Sequence, residues 1–340
     1  MPGLIQHTND NDGPPSHVIG VYHITHPRSA SNLFQNMMAK QPGYQKSGYK
    51  LYDAAFMTMA WLEDGPLGGR SQEERETLYE TFRKGWEAML DDCESAEREG
   101  KKVFIKEHAF FLSGPDKIFS SFYPEDVANL PPLTISLRNV SPSESAKHTN
   151  PTSLPDAFLL KMQPIFQIRH PALMYPSAIR AQRAINMGGD PSSHFDYFLT
   201  LRRSRELYDW YIEHGPSVGI TPRVIDADDI MKDPEAVRKL CRQTGLDPKA
   251  VAYEWEEKVV ESPVMARFLS TISKSRGILP GLAAQGLDME NQKERWREEF
   301  GEADAKALWK KVEESMGDYL YLWEKRTRGG GMKGEELAAP

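Results

Sequence analysis

Apolar positions along the chain follow two rhythms. Short runs rich in β-branched and aromatic residues occur at "HVIGVYHIT" (His17–Thr25), "KKVFIKEH" (101–108), "PIFQIRHP" (164–171) and "TPRVIDADDI" (221–230). Their length and flanking Gly, Pro and polar residues predict strands. Between them, apolar residues recur every three or four positions. This spacing predicts helices over Ser31–Lys40, over the segment that Ser71 caps and Gly100 ends, over "SHFDYFLTLRRSRELYDWYIEHG" (193–215) and over "DPEAVRKLCRQTGL" (233–246). Strand and helix alternate, so the expected fold is α/β, with a central, mainly parallel sheet flanked by helices. Residues 110–160 carry Pro and Ser clusters and read as a long irregular connection, the kind that usually serves function. Residues 1–16 and 326–340, rich in Gly, Pro and charge, read as disordered tails. No linker divides 17–325, which is taken as one domain.

Composition narrows the function. The net charge of −7 across 340 residues argues against a general nucleic-acid or acidic-membrane binder, so any bound anion must be held by a local cluster. Mean hydropathy is −0.57 and no apolar run approaches the ~20 residues of a membrane span. The start shows no secretory pattern, and the two cysteines, Cys93 and Cys241, suit free thiols in a reducing compartment. The expectation is a cytoplasmic protein without membrane or nucleic-acid partners. Its oligomeric state is not encoded in any pattern found.

The first strand runs into "THPRSASNLF" (Thr25–Phe34). A strand, a tight loop and a helix bring several backbone N–H groups to one point, which suits a phosphate or sulfate. Arg28 adds a planar fork, and Ser29, Ser31 and Asn32 add short polar groups. The GxxxxGK[ST] pattern of nucleotide triphosphatases is absent, which argues against ATP or GTP hydrolysis. A Ser-rich turn that only caps a helix is the simpler alternative. Two further segments bear on it. Arg169 ends the strand "PIFQIRHP", at the edge where open α/β sheets bind ligands, and Ser177 follows eight residues later in the opening turns of a helix. Pro176 beside it is compatible with that helix if it falls among the first four residues. In "KVFIKEHAF", Lys106 and His108 alternate and so project to the same side of a strand. Each has a plain alternative: a solvated lysine, a histidine bonded to a loop, or an arginine paired with the 226–229 acidic segment. His23, His26 and His170 are alternative bases.

In order and spacing, these pieces resemble the sulfotransferases that use 3′-phosphoadenosine 5′-phosphosulfate (PAPS). That family carries a P-[KR]-S-G-[TS]-[TS] loop, an R-x7-S pair and a K-x-H strand end, matched here from about Val18 to Asp247. The resemblance implies a P-loop nucleotide-kinase-like architecture. It places the 5′-phosphosulfate on Arg28, Ser29, Ala30, Ser31 and Asn32, and the 3′-phosphate on Arg169 and Ser177. "SKSRGILPG" offers Lys274, Arg276 and Gly277 as the counterpart of the family's later Arg-Lys-Gly element. Ala30 stands where the family has Gly, and implies a loop that avoids positive φ there. Asn32 replaces Thr or Ser.

The implied reaction is in-line sulfonate transfer from PAPS to the hydroxyl of a small alcohol or phenol, releasing adenosine 3′,5′-bisphosphate and needing no metal. His108 is the implied general base, with Lys106 and Arg28 neutralising charge. The acceptor pocket is expected in variable loops over 49–69 and 110–160. Recruitment of the fold for elimination or cyclisation, or for nucleotide binding without turnover, are the competing readings.

Overall fold

A computed structural model describes residues 13–127, 130–138, 140–141, 148–183, 197–257 and 270–330. Five strands form one sheet: β1 Gly20–Thr25, β2 Tyr44–Ser47, β3 Lys102–His108, β4 Met162–Ile168 and β5 Arg223–Asp226, in the order β2-β3-β1-β4-β5. Every pairing is parallel, as expected. Both faces are covered, which is why the strands read as continuous apolar runs. Tyr22 and Ile24 of β1 join a large cluster with Ile105, Phe166 and Trp86. Val21 points the other way, onto Phe34, Phe104, Ile165 and Leu240.

Helix α1 (Ser31–Met37) follows β1, and α2 (Tyr52–Glu63) follows β2. Then comes α3 (Gln72–Arg98), where Ser71 and Glu74 form a reciprocal capping box. Gly85 of α3 is fixed by a close approach: a Cβ there would lie 2.3 Å from the carbonyl oxygen of Lys50. Helix α4 (Pro115–Phe122) gives regular structure to part of the expected irregular connection. Helix α5 (Pro171–Arg183) follows β4, and α6 is Arg202–His214. The long helix expected from residue 193 is thus shorter: residues 193–196 lie outside the described residues, and Leu199–Thr200 interrupt it. Pro176 is the sixth residue of α5, beyond the first turn, and removes the amide that the Ala172 carbonyl would otherwise accept.

The run "TPRVIDADDI" also divides. The strand ends at Asp226, whose carboxylate accepts from the Asp228 amide and starts α7 (Ala227–Lys232). Helix α8 (Pro234–Thr244) is capped by Asp233 and stopped by Gly245, and α9 (Met289–Phe300) and α10 (Glu302–Glu324) pack as a pair. Order continues past residue 325. Arg326 is buried against Asp229 at 3.0 Å, and the Thr327 amide donates to the Val224 carbonyl. Arg326 and Thr327, expected to open a tail, are thus packed against the sheet's edge strand and the helix after it. Residues 1–12 and 331–340 lie outside the described residues. Among those described, no helix is long and apolar enough to cross a membrane, and Cys93 and Cys241 are free thiols.

Candidate active site

Parallel pairing fixes the site's first geometry. β1, β3 and β4 end at the same edge of the sheet, with Thr25 paired to His108 and His23 to Lys106. Beyond β1 the loop His26–Ala30 turns sharply. Both Arg28 (φ 66°) and Ala30 (φ 64°) adopt the left-handed conformation. This overturns the expectation from Ala30, which takes the backbone shape that glycine takes without cost. Such a conformation costs an L-residue roughly 1–2 kcal/mol, and tertiary bonds hold it. The Arg169 Nη1 donates to the Arg28 carbonyl at 3.0 Å, the Gln167 amide donates to the Ser29 carbonyl, and the Leu33 amide to the Ala30 carbonyl at 3.0 Å.

Two cavities open at this edge. One, of about 310 Å³, lies among Arg28, Ala30, Asn32, Arg169, Ser177 and Arg180, with Leu33, Met231, Ile272 and Leu282 supplying apolar walls. Its described lining includes no carboxylate. Arg28 Nε donates to Ser177 Oγ at 2.9 Å, so the loop His26–Ala30 and the helix that carries Ser177 meet. Arg169 Nη2 donates to the Leu282 carbonyl at 2.8 Å, while its buried Nε has no hydrogen-bond partner among the described residues. The alternative reading, an ion pair with the 226–229 segment, does not form as a direct contact; Asp226 and Asp228 act on Arg169 only through their field. A half-buried guanidinium on the wall of a cation-lined cavity fits a phosphate-bearing ligand.

The second cavity, about 100 Å³, is aromatic: Tyr49, Tyr52, Phe56, Phe110, Phe111 and Phe198 line it, with His108 and Ser31 among its polar groups. Arg28 and Asn32 line both cavities and form the partition between them.

His108 stands at the inner end of the aromatic cavity, stacked on Phe110 at 5.9 Å. Its Nδ1 lies 2.7 Å from Thr25 Oγ1, and that hydroxyl donates to the Glu107 carbonyl at 3.1 Å. With the hydroxyl proton so used, Nδ1 must carry hydrogen and Nε2 must be the basic nitrogen, a tautomer assigned from the network. Nε2 accepts from the Tyr49 hydroxyl at 3.0 Å. Burial, and then the charge of Lys106, hold His108 well below the usual imidazole range, so the ring is neutral.

Lys106 lines neither cavity. It is fully buried, donates to Asn32 Oδ1 at 2.6 Å and Gln35 Oε1 at 3.3 Å, and lies 4.7 Å from the centre of the Tyr49 ring. Burial lowers its pKa to about 7. Lys106 and His108 do share a face, but Asn32 and Tyr49 stand between the lysine and any ligand. Glu107 projects from the opposite face. Its Oε1 accepts the Lys50 and Leu51 amides at 2.5 and 3.1 Å and thereby caps α2 from a neighbouring strand. Burial raises its pKa to about 8.

Other expected residues fall elsewhere. Ser29 is buried and its hydroxyl donates to the His26 carbonyl at 2.7 Å, so it shapes the loop. Lys274 is exposed, and Arg276 is paired with Glu257 at 3.0 Å; of that element only Gly277 reaches the cationic cavity. His23 is packed against Phe34 and bonded to Gln167 at 2.8 Å, with burial lowering its pKa to about 3. His26 contacts the Pro27 and Phe198 carbonyls, and His170 accepts from the Ala172 amide. None of the three lines either cavity.

Sequence reading missed Thr25 and the individual role of Tyr49, and took 49–69 as loop where α2 is helical. A signal was present: Tyr49, Tyr52, Phe56 and Met59 follow helical spacing, and all four line the aromatic cavity.

Comparison with known proteins adds two relatives. A protein named sulfotransferase ppzF from Metarhizium majus is 32% identical over 335 residues, covering 90% of this chain and 96% of the relative. Another of that name from Metarhizium rileyi is 30% identical over 330 residues, with the same coverage. No protein-family model matches the chain, and no solved structure matches it.

Proposed function

The chain belongs to the sulfotransferase family, and within it we propose transfer of a sulfonate group from PAPS to the hydroxyl of a small alcohol or phenol, with His108 as general base. The observation that carries this reading is the shared wall: a cation-lined cavity and an aromatic cavity meet at Arg28 and Asn32, and the basic nitrogen of His108 lies on the aromatic side.

When bound, PAPS supplies an activated sulfuryl group and a stable leaving group. The protein's part is positioning and charge neutralisation, as in phosphoryl transfer. Arg169 and Ser177 hold the 3′-phosphate. Arg28, at the partition, faces the 5′ end and offsets charge that builds on the leaving oxygen. Lys106 acts on that end through Asn32. The aromatic walls exclude water and orient a flat acceptor, and His108 takes up the hydroxyl proton as the new bond to sulfur forms. Asp226, Asp228 and Glu107 line neither cavity, which keeps negative charge off the donor's path.

Incubation with PAPS and a panel of phenols and alcohols, read by mass spectrometry for products gaining one SO3, tests the reaction. His108→Ala should lower kcat on alcohols roughly a hundredfold while adenosine 3′,5′-bisphosphate affinity stays within a few fold. Products of elimination or cyclisation without SO3, or nucleotide binding with no product at all, would replace this reading.

A further inference from the structure

His108 cannot meet an acceptor directly in this arrangement. Its Nδ1 is committed to Thr25, and the lone pair of Nε2 is taken by the Tyr49 hydroxyl. His108 is only 8% exposed, and Phe110 and Phe111 pack against its ring. Tyr49 lines the same cavity, and its hydroxyl occupies the basic nitrogen of His108. An acceptor must therefore displace Tyr49 or use it.

Displacement has much against it. The Tyr49 ring sits 4.7 Å over the Lys106 ammonium, tilts against His108 at 4.7 Å and meets the edge of Phe111 at 5.6 Å. The two amides that follow it in sequence are pinned by Glu107, and Gly85 of α3 presses on the Lys50 carbonyl. Swinging the ring out would uncover a buried cation and break a cation–π contact. Use needs no movement. The Tyr49 oxygen gives its only proton to Nε2 and keeps lone pairs to accept another. Ser31, at the start of α1, lines the same cavity as Tyr49 and His108.

We propose that Tyr49 is a catalytic residue that relays the acceptor's proton to His108. The proposal rests on the sulfotransfer reading above. As the acceptor oxygen bonds to sulfur, its proton passes to the Tyr49 oxygen and the Tyr49 proton passes to Nε2. The bond from sulfur to the bridging phosphate oxygen breaks, and adenosine 3′,5′-bisphosphate leaves with that electron pair. Tyr49 ends as it began, and the charge rests on an imidazolium. Burial raises the phenol's pKa far above its ordinary value, so Tyr49 moves both protons together rather than waiting as a phenolate.

The test uses PAPS with benzyl alcohol and with 4-nitrophenol, an acceptor largely ionised at pH 8. Tyr49→Phe keeps the ring and removes the relay. Its kcat on benzyl alcohol should fall at least about tenfold, on 4-nitrophenol little, with adenosine 3′,5′-bisphosphate affinity unchanged. Tyr49→Phe/His108→Ala should be no slower than His108→Ala alone. In the wild-type protein, rate against deuterium fraction on benzyl alcohol should curve, because two protons move. Equal losses on both acceptors would assign Tyr49 to packing. A faster variant with lower KM would make it a plug, a gain of SO3 on Tyr49 would make it an acceptor itself, and a linear deuterium dependence would leave one proton in flight; each overturns the relay. If His108→Ala turns over benzyl alcohol normally, or the wild-type protein converts neither probe, it is the proposed chemistry that fails, and the relay with it.

Discussion

Replacing Lys106 by methionine tests how a buried charge beside the anion loop responds to an arriving nucleotide. Methionine fills similar space without the ammonium. With a pKa of about 7, only about one Lys106 in ten is protonated at pH 8 in the free protein. A phosphate-bearing ligand held across Asn32 favours the charged form, and a nearby opposite charge raises a pKa by roughly 1–3 units. A rise of about 2 units makes binding at pH 8 take up about 0.8 proton, and weakens affinity about 25-fold, or about 1.9 kcal/mol, between pH 7 and pH 9. His23 and His108 stay neutral throughout because burial depresses them. Glu107 titrates near this range but remains in the variant, so the difference between the two proteins reads Lys106. Calorimetry of adenosine 3′,5′-bisphosphate binding in buffers of unequal ionisation enthalpy measures the uptake. Identical heats across buffers at pH 8, or equal uptake by Lys106→Met, would refute the reasoning.

Three other outcomes follow from the same geometry. Adenosine 5′-monophosphate should bind at least about tenfold more weakly than the 3′,5′-bisphosphate, roughly 1.4 kcal/mol, and Arg169→Ala should erase that gap in thermal-shift titrations. Ala30→Gly should raise stability by up to about 1 kcal/mol, the left-handed strain of roughly 1–2 relieved less the roughly 0.5–1 entropic cost of glycine; a loss on denaturant melts would contradict the observed φ. Glu107→Gln keeps an acceptor for the Lys50 and Leu51 amides. The folded pKa of Glu107 is raised from its ordinary value to about 8, so its stabilising share is intact below its unfolded value and is lost as pH rises through about 8. The variant should therefore melt higher than wild type at pH 9 and almost equally at pH 5, and an equal shift at both would count against a buried, mostly neutral carboxyl.

Legibility divided along physical lines. Ser71 announced its helix because caps are local, and it accepts from the Glu74 amide three residues away. Arg28, Arg169 and Ser177 could be assembled because parallel strands deliver their ends to one edge. Ala30 misled because the two residues before it are held by Arg169 and Gln167, which bond the Arg28 and Ser29 carbonyls from over a hundred positions away. Helix α2 read as loop because it is apolar on two sides: Ala54, Ala55, Thr58 and Leu62 face the core while Tyr52, Phe56 and Met59 face the cavity. No sequence pattern separates a solvated strand-end lysine from one sealed beneath a tyrosine, so the burial of Lys106 came only from three dimensions. In the run 221–230, the acidic residues Asp228 and Asp229 that looked like strand were the first turn of a helix.

The tie between Glu107 and the start of α2 has a bearing on how such a protein can change its choice of acceptor. One strand carries the proposed base on one face and, on the other, the carboxylate that anchors the first turn of the aromatic helix. Side chains at positions 52, 56 and 59 can thus be exchanged along a helix whose origin is nailed beside the chemistry. New outlines for the cavity inherit the old alignment. Variation in that helix is a means of diversification that leaves the donor's half of the molecule undisturbed, and a library confined to those three positions would explore acceptors without having to rediscover catalysis.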